Sequence, residues 1–431
     1  MMNEIRFLKE TYFQETTVGK IPKEWEVVRL GDAILEAQSG FASGRRDENG
    51  ILQLRMDSIE TDGRINVEGG VKVPIPQNVE DYILRPGDVL FNNTNSVDLI
   101  GKTAIFRGEF PKSVYSNHLT RIRVDRSKVL PEWLVYSLIR KWQLGFFRAI
   151  CHRHVHQAGI NNSDLANVKI SVPSIAEQRA VVGVLGVVDL AVARAGEVIA
   201  KTERLKKGLM QELLTRGIGH KEYKQTPIGK IPKTWEVVKL KDVVGIDIES
   251  KDPSREMPDK TFLYVDIDSI EGETGKIRNP KRILGREAPS RARRVIHEND
   301  VIMSTVRPYL KAFAIIPKEY DNQICSTGFA VLSCGDHLLP YFLLNVLFSS
   351  QIINQCNRMM VGGQYPALNQ SQVFEIKIPL PPLTEQQKIA DFFFTIDRKL
   401  ELERNEKEKL ERTKHGLMDL LLTGKVRVKV E

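Results

Sequence analysis

Gly19-Lys20-Ile21-Pro22-Lys23-Glu24-Trp25-Glu26-Val27-Val28-Arg29-Leu30 returns as Gly229-Lys230-Ile231-Pro232-Lys233-Thr234-Trp235-Glu236-Val237-Val238-Lys239-Leu240. The displacement is 210 positions, from Trp25 to Trp235. Other fragments keep step. Asp57-Ser58-Ile59 matches Asp268-Ser269-Ile270, Gly87–Phe91 matches Asn299–Met303, and Ile160-Asn161-Asn162-Ser163 matches Leu368-Asn369-Gln370-Ser371. Glu177-Gln178 recurs as Glu385-Gln386, and the close Leu213-Leu214-Thr215 as Leu421-Leu422-Thr423. Solenoid repeats run to roughly 20–50 residues, so this much longer period marks a duplicated domain. The ends of the copies agree closely, whereas the middles (35–155 and 245–360) agree only in strand-like fragments. A shared frame therefore carries two different inserts.

Each insert alternates short β-type runs with turn signals. In the first copy these are Trp25–Leu30, Val89–Phe91, Thr103–Phe106 and His118–Val124; in the second, Phe262–Ile267, Val301–Ser304 and Gly328–Ser333. A helical run follows in each, Trp133–Phe147 and Tyr341–Asn354. The class expected is α+β.

The last part of each copy reads as one long helix. Pro173-Ser174-Ile175-Ala176-Glu177 has the capping-box pattern, with Ser174 capping and Glu177 reciprocating; Pro381, Pro382, Thr384 and Gln387 are the equivalent start. Apolar residues then recur at Val181, Leu185, Val188, Val192, Ala195, Ile199, Thr202, Leu209 and Leu213. The second stripe is Ile389, Phe393, Ile396, Leu400, Leu410, Leu417 and Leu421, displaced by 208. One heptad frame over about five heptads is a coiled-coil seam. Each helix should be about 60 Å long at ~1.5 Å per residue. Glu403, Lys407 and Lys414 fall on seam positions, which suits a partly wet rod open to another protein. Equivalent copies pair most simply about a two-fold axis. The helices would then be antiparallel, with the inserts at opposite ends. The segments expected are a first domain 1–172, a long helix 173–217, a second domain 218–380 and a second long helix 381–424.

The chain has 431 residues, 42% hydrophobic and 27% charged, an ordinary globular composition. No run reaches the ~18 apolar residues of a membrane helix, and the N-terminus lacks a signal pattern, so a cytoplasmic location is expected. Lys and Arg outnumber Asp and Glu by 63 to 55, a net charge of +8, which hints at a polyanionic partner. Cys151, Cys325, Cys334 and Cys356 are scattered; reduced, mostly buried thiols are expected rather than a zinc site or disulfides.

The Gly-Lys-Ile-Pro-x-x-Trp opening of each half, the Asn-x-Ser and Pro…Glu-Gln lead-in to each helix and the Leu-Leu-Thr close resemble the specificity (S) subunit of type I restriction-modification enzymes. The resemblance covers almost the whole chain. It implies two target-recognition domains, each reading half of an asymmetric, bipartite site in double-stranded DNA. The paired helices would space them and dock two methyltransferase (M) subunits, with restriction (R) subunits joining that core. S-adenosylmethionine, ATP and Mg would then belong to the partner subunits, with no cofactor on this chain.

The residues point the same way on chemistry. An adenine methyltransferase needs a Gly-rich cofactor turn and an Asn/Asp-Pro-Pro-aromatic loop, and neither is present. Gly101-Lys102-Thr103 mimics the end of a phosphate loop, but Ser96 stands where its first glycine belongs. His152-Arg153-His154-Val155-His156 has metal-binding residue types at poor spacing and reads better as a basic surface near DNA. Candidate DNA contacts in the first copy are Arg45, Arg46, Asn92, Asn93, Lys102, Arg121, Arg123 and His154. In the second they are Arg291, Arg293, Arg294, Arg307 and Gln364. Arg can bridge guanine O6 and N7, and Asn or Gln can pair with adenine. Glu403, Lys407 and Lys414 are candidates for partner docking. The alternative function is a protein-binding tether without DNA readout.

Overall fold

The computed structural model describes residues 5–155, 157–245, 249–360 and 366–430. The chain divides into two compact units, Met1–Arg194 with Lys407–Glu431, and Ala195–Glu406. The first long helix is Ile175–Arg216 and the second Leu383–Leu421. Each unit takes the start of one and the end of the other. Every residue of the two apolar stripes is buried or half-buried, as the heptad frame requires.

The duplicated segments build the same frame in both units. Phe13–Thr16 pairs with Gly19–Pro22, and Tyr223–Thr226 with Gly229–Pro232. Glu26–Arg29 pairs antiparallel with Lys169–Val172, as Glu236–Lys239 does with Lys377–Leu380. In the first unit the terminal strands close on one another, Ile5–Lys9 against Val426–Val430.

The inserts are more alike than their sequences. The first carries a sheet in the order Thr103–Ile105, Val89–Asn92, Leu119–Val124, Ile34–Ser39; the second repeats it as Phe313–Ile315, Val301–Ser304, Phe329–Cys334, Val244–Gly245. The strands Val89–Asn92 and Val301–Ser304 are buried throughout, which is why their apolar runs survived in both copies. A second sheet also recurs. In the first unit it is Ser113–Tyr115, Ile51–Leu54, Val71–Val73; in the second Ala292–Ile296 is added to its edge. The helical run expected over 133–147 is broken in two, Pro131–Gln143 and Phe146–Ile150, because Gly145 adopts φ +74° between them. The run expected over 341–354 breaks at Ser349, which caps Ser350–Met359.

Each long helix is seated on its insert by the Glu-Gln pair. Ser174 Oγ accepts from Glu177 N at 3.3 Å, but the Glu177 carboxylate does not complete a capping box. It accepts from Trp25 Nε1 at 3.2 Å and from Arg427 Nε and Nη2 at 2.5 and 2.7 Å. In the second unit Glu385 accepts from Trp235 Nε1 at 2.9 Å and Ile218 N at 2.8 Å, with His220 in Arg427's place at 2.9 Å. Gln387, expected in the helix start, instead bonds Asp391. Gln178 donates to the carbonyls of Lys128 and Pro173 and accepts from Leu130 N; Gln386 does the same with His337, Pro381 and Leu339 N. Gly424 (φ +68°) and Gly217 (φ +66°) let the tryptophans approach, since a Cβ would lie 3.1 Å from Trp25 Cζ2 and 2.7 Å from Trp235 Cζ2.

A second duplicated cluster ties one long helix to the other. In the first unit Lys414 Nζ lies 2.6 Å from Asp189 Oδ1, whose other oxygen accepts from Tyr136 Oη at 2.6 Å. In the second unit Lys206 Nζ lies 2.5 Å from Asp397, which accepts from Tyr341 Oη at 2.8 Å. The roles are exchanged: Asp189 is on the first helix and Lys414 on the second, whereas Asp397 is on the second and Lys206 on the first. Replacing Asp189 and Lys414 by Ala, singly and together, should give a coupling energy of about 1–2 kcal/mol in urea unfolding. The cycle at Asp397 and Lys206 should match, and additive behaviour in both would refute the role given to the cluster.

Candidate nucleic-acid interface

A side chain that meets DNA must be free to leave its own protein, and that criterion divides the candidates. Arg121 and Arg123 alternate on the strand Leu119–Val124 and face inward. Arg121 is 2% exposed, with Nη2 at 2.6 Å from Glu36 and 2.5 Å from Gln38 and Nη1 at 2.9 Å from the Asp81 carbonyl. Arg123 is held by Asp88 at 2.7 Å and Glu36 at 3.1 Å, and the Asp88 hydrogen bond raises its pKa. Cross-strand register makes this pairing, since Gln38 and Glu36 stand opposite Arg121 and Arg123. These cations neutralise carboxylates of the scaffold.

Lys102, Asn92 and Asn93 are likewise interior. Lys102 Nζ donates to the Ile59 carbonyl at 2.5 Å and the Met56 carbonyl at 3.3 Å, and burial lowers its pKa. Asn92 is fully buried; Asn93 donates to Thr120 Oγ1 at 3.0 Å and the Asn117 carbonyl at 3.2 Å. In the second unit Arg294 donates to the Phe329 carbonyl and to Gln370, and burial lowers its pKa. Arg293 pairs with Asp252 at 3.3 Å. Arg307 stands at φ +46° with its N–H on the Pro366 carbonyl at 3.0 Å. In a β-rich insert alternate residues of a strand point inward, and a buried Arg or Lys there is tolerated when its charge is paired or hydrogen-bonded. The sequence showed the cations but not their partners.

Arg45, Arg46, His154 and Arg291 are exposed. Among the described residues Arg45, Arg46 and Arg291 have no acidic partner. Gln364 lies outside the described residues. Of the docking candidates, Lys414 is buried, with its ammonium on Asp189 and 5.8 Å from the Tyr136 ring centroid, so it joins the two helix segments of the first unit. Lys407 pairs with Glu411 one turn on, and Glu403 is half-buried.

Exposed residues absent from the candidates flank His154. Arg153, Val155 and Gln157 sit on a hairpin formed by His152–Arg153 and Ala158–Gly159. Their signal in the sequence was the histidine run, first weighed as a metal ligand set. His152 Nε2 lies 2.8 Å from Asp164, and among the described residues no three His, Cys, Asp or Glu side chains gather as a metal site. Cys325 and Cys356 are buried, and burial pushes both thiols up to about 12. Among the described residues no helix is long and apolar enough to cross a membrane.

The model of the type I restriction modification DNA specificity domain matches this chain twice, at residues 22–196 and 232–412. The putative type I restriction enzyme MjaX specificity subunit of Methanocaldococcus jannaschii is 32% identical over 99% of each chain. The MjaVIII specificity subunit of the same organism is 28% identical, over 99% of this chain and 98% of its own. The fold is that of the S subunit of a type I system from M. genitalium (TM-score 0.56, 13% identity, 92% of this chain and 96% of that one). It is also that of a chain solved in a study of complex assembly and conformational transition of the type I R-M system (TM-score 0.53, 21% identity, 94% and 99%). Two specificity domains in one α+β chain define a DNA-recognising protein. The chain belongs to the type I restriction-modification specificity family, and its function is that of the specificity subunit.

Arg121→Ala removes one of the two guanidinium groups on Glu36 and leaves the Gln38 amide oxygen and the Asp81 carbonyl without their donor, and should cost about 3 kcal/mol of stability, read as a lowered Tm. Arg45→Ala with Arg46→Ala should leave Tm unchanged and reduce the slope of log affinity for duplex DNA against log salt by about two. An unchanged slope would remove both residues from the interface.

Proposed function

We propose that the two units read unlike halves of an asymmetric bipartite site in double-stranded DNA. The observation that carries this reading is the duplication of the insert topology with different edges and loops. The same sheets recur, but Arg45 and Arg46 in one copy and Arg291 in the other present different charges at different places. Two such readers make a palindromic site unexpected.

The long helices act as the ruler between the readers, pairing antiparallel as a coiled coil. Support comes from the exchanged Asp–Lys clusters and from the shared heptad frame. Their outer faces are the docking surface for two methyltransferase subunits, with restriction subunits joining the assembly. The chain performs no chemistry of its own. S-adenosylmethionine, ATP and Mg act on the partners, in keeping with a sequence that has neither a cofactor turn nor a base-holding Pro-Pro loop.

Two measurements test this reading. Duplex affinity of the full chain should fall steeply with salt, because neutralised phosphates release counterions; binding indifferent to DNA would favour a protein tether instead. Removing one heptad from both helices should shorten the spacing between the recognised halves by about 10 Å, roughly three base pairs. An unchanged spacing would show that the helices are not the ruler.

A further inference from the structure

We infer that the hairpin His152–Gly159 of the first unit enters the major groove and reads bases of one half-site through Arg153, His154, Val155 and Gln157. This deepens the DNA-recognition reading above and rests on it.

The hairpin is anchored by the strand and side chain beside it. Its ladder is His152 opposite Gly159 and Arg153 opposite Ala158, and the turn closes with His154 N donating to the Gln157 carbonyl at 2.7 Å. A tight turn of this kind usually takes Gly, Asn or Asp. Here the described tip residues are His154, Val155 and Gln157, none of those three types. The shape is imposed from outside. Ala158 and Gly159 pair with Asn95 and Thr94, Ile160 N donates to the Asn93 carbonyl at 2.9 Å, and His152 is held by Asp164 at 2.8 Å. A tip held out by the surrounding scaffold with no packing role of its own is where function is to be sought.

What the support presents is exposed. Val155 is 91% exposed, and Arg153, His154 and Gln157 also face solvent. Among the described residues Arg153 has no acidic partner, unlike Arg121 and Arg123 of the same unit. A two-stranded ribbon fits the roughly 12 Å major groove, where Arg can bridge guanine O6 and N7, Gln can pair with adenine, and an apolar side chain can meet the thymine methyl. The corresponding stretch of the second copy, Val361-Gly362-Gly363-Gln364-Tyr365, contains no cation, so the device belongs to one half-site.

The full chain should be selected against randomised duplex oligonucleotides as native protein, as Arg153→Ala with His154→Ala, as Val155→Glu and as Gln157→Ala, with a thermal melt of each. Gln157→Ala leaves every anchor of the hairpin in place. In the variants, discrimination at adjacent positions of one half-site should fall at least about ten-fold, the other half being retained and Tm unchanged. The native motif persisting in all variants would overturn the inference. So would a uniform loss of affinity with the motif intact, which assigns the tip to phosphate. Failure of the native chain to select any motif would instead overturn the DNA reading itself.

Discussion

A lysine ammonium on one long helix, held against an aspartate of the other and a tyrosine hydroxyl of the insert, is the contact on which the chain's organisation turns. It occurs as Tyr136–Asp189–Lys414 and again as Tyr341–Asp397–Lys206. Apolar seams tolerate slippage by a heptad, because one leucine replaces another at little cost. A half-buried ion pair does not, since a slipped register would leave a carboxylate and an ammonium each without a partner in a partly desolvated place. Because the two copies exchange donor and acceptor, each helix contributes its aspartate to the cluster of one unit and its lysine to that of the other. Duplication of the gene segment supplied both halves of the clasp.

The Trp–Glu–Gln seat does complementary work. It joins the most similar segments of the copies, the Gly-Lys-Ile-Pro-x-x-Trp opening and the Glu-Gln pair, into one buried hydrogen-bonded cluster at each helix start. With the frame fixed in this way, insert loops can diverge without disturbing the register, and the inserts have done so. A stable frame carrying variable surfaces is the physical requirement for a protein whose task is to recognise a particular DNA sequence.

The duplication, the α+β class and the long helices were legible in the sequence, since the repeat, the heptad stripe and the buried runs Val89–Phe91 and Val301–Ser304 are local signals. The interface was legible only in part. Arg121 and Lys102 look like DNA contacts as letters, and only tertiary pairing with Glu36 and the Ile59 carbonyl turns them inward. Lys414 looked exposed because seam charges are costly, yet Asp189 lies a whole copy away in sequence. Glu177 was read as a local cap, whereas its partners Trp25 and Arg427 are far along the chain. The hairpin tip was half visible: its histidines stood out, but the strand pairing that lifts Val155 into solvent did not.

We propose that one polypeptide places two unlike readers on a single duplex. Hydroxyl-radical footprinting of the full chain on its selected DNA tests it most directly. Two protected tracts of different sequence, separated by an unprotected gap, are expected; a single continuous tract, or two tracts that are inverted copies of one sequence, would contradict it.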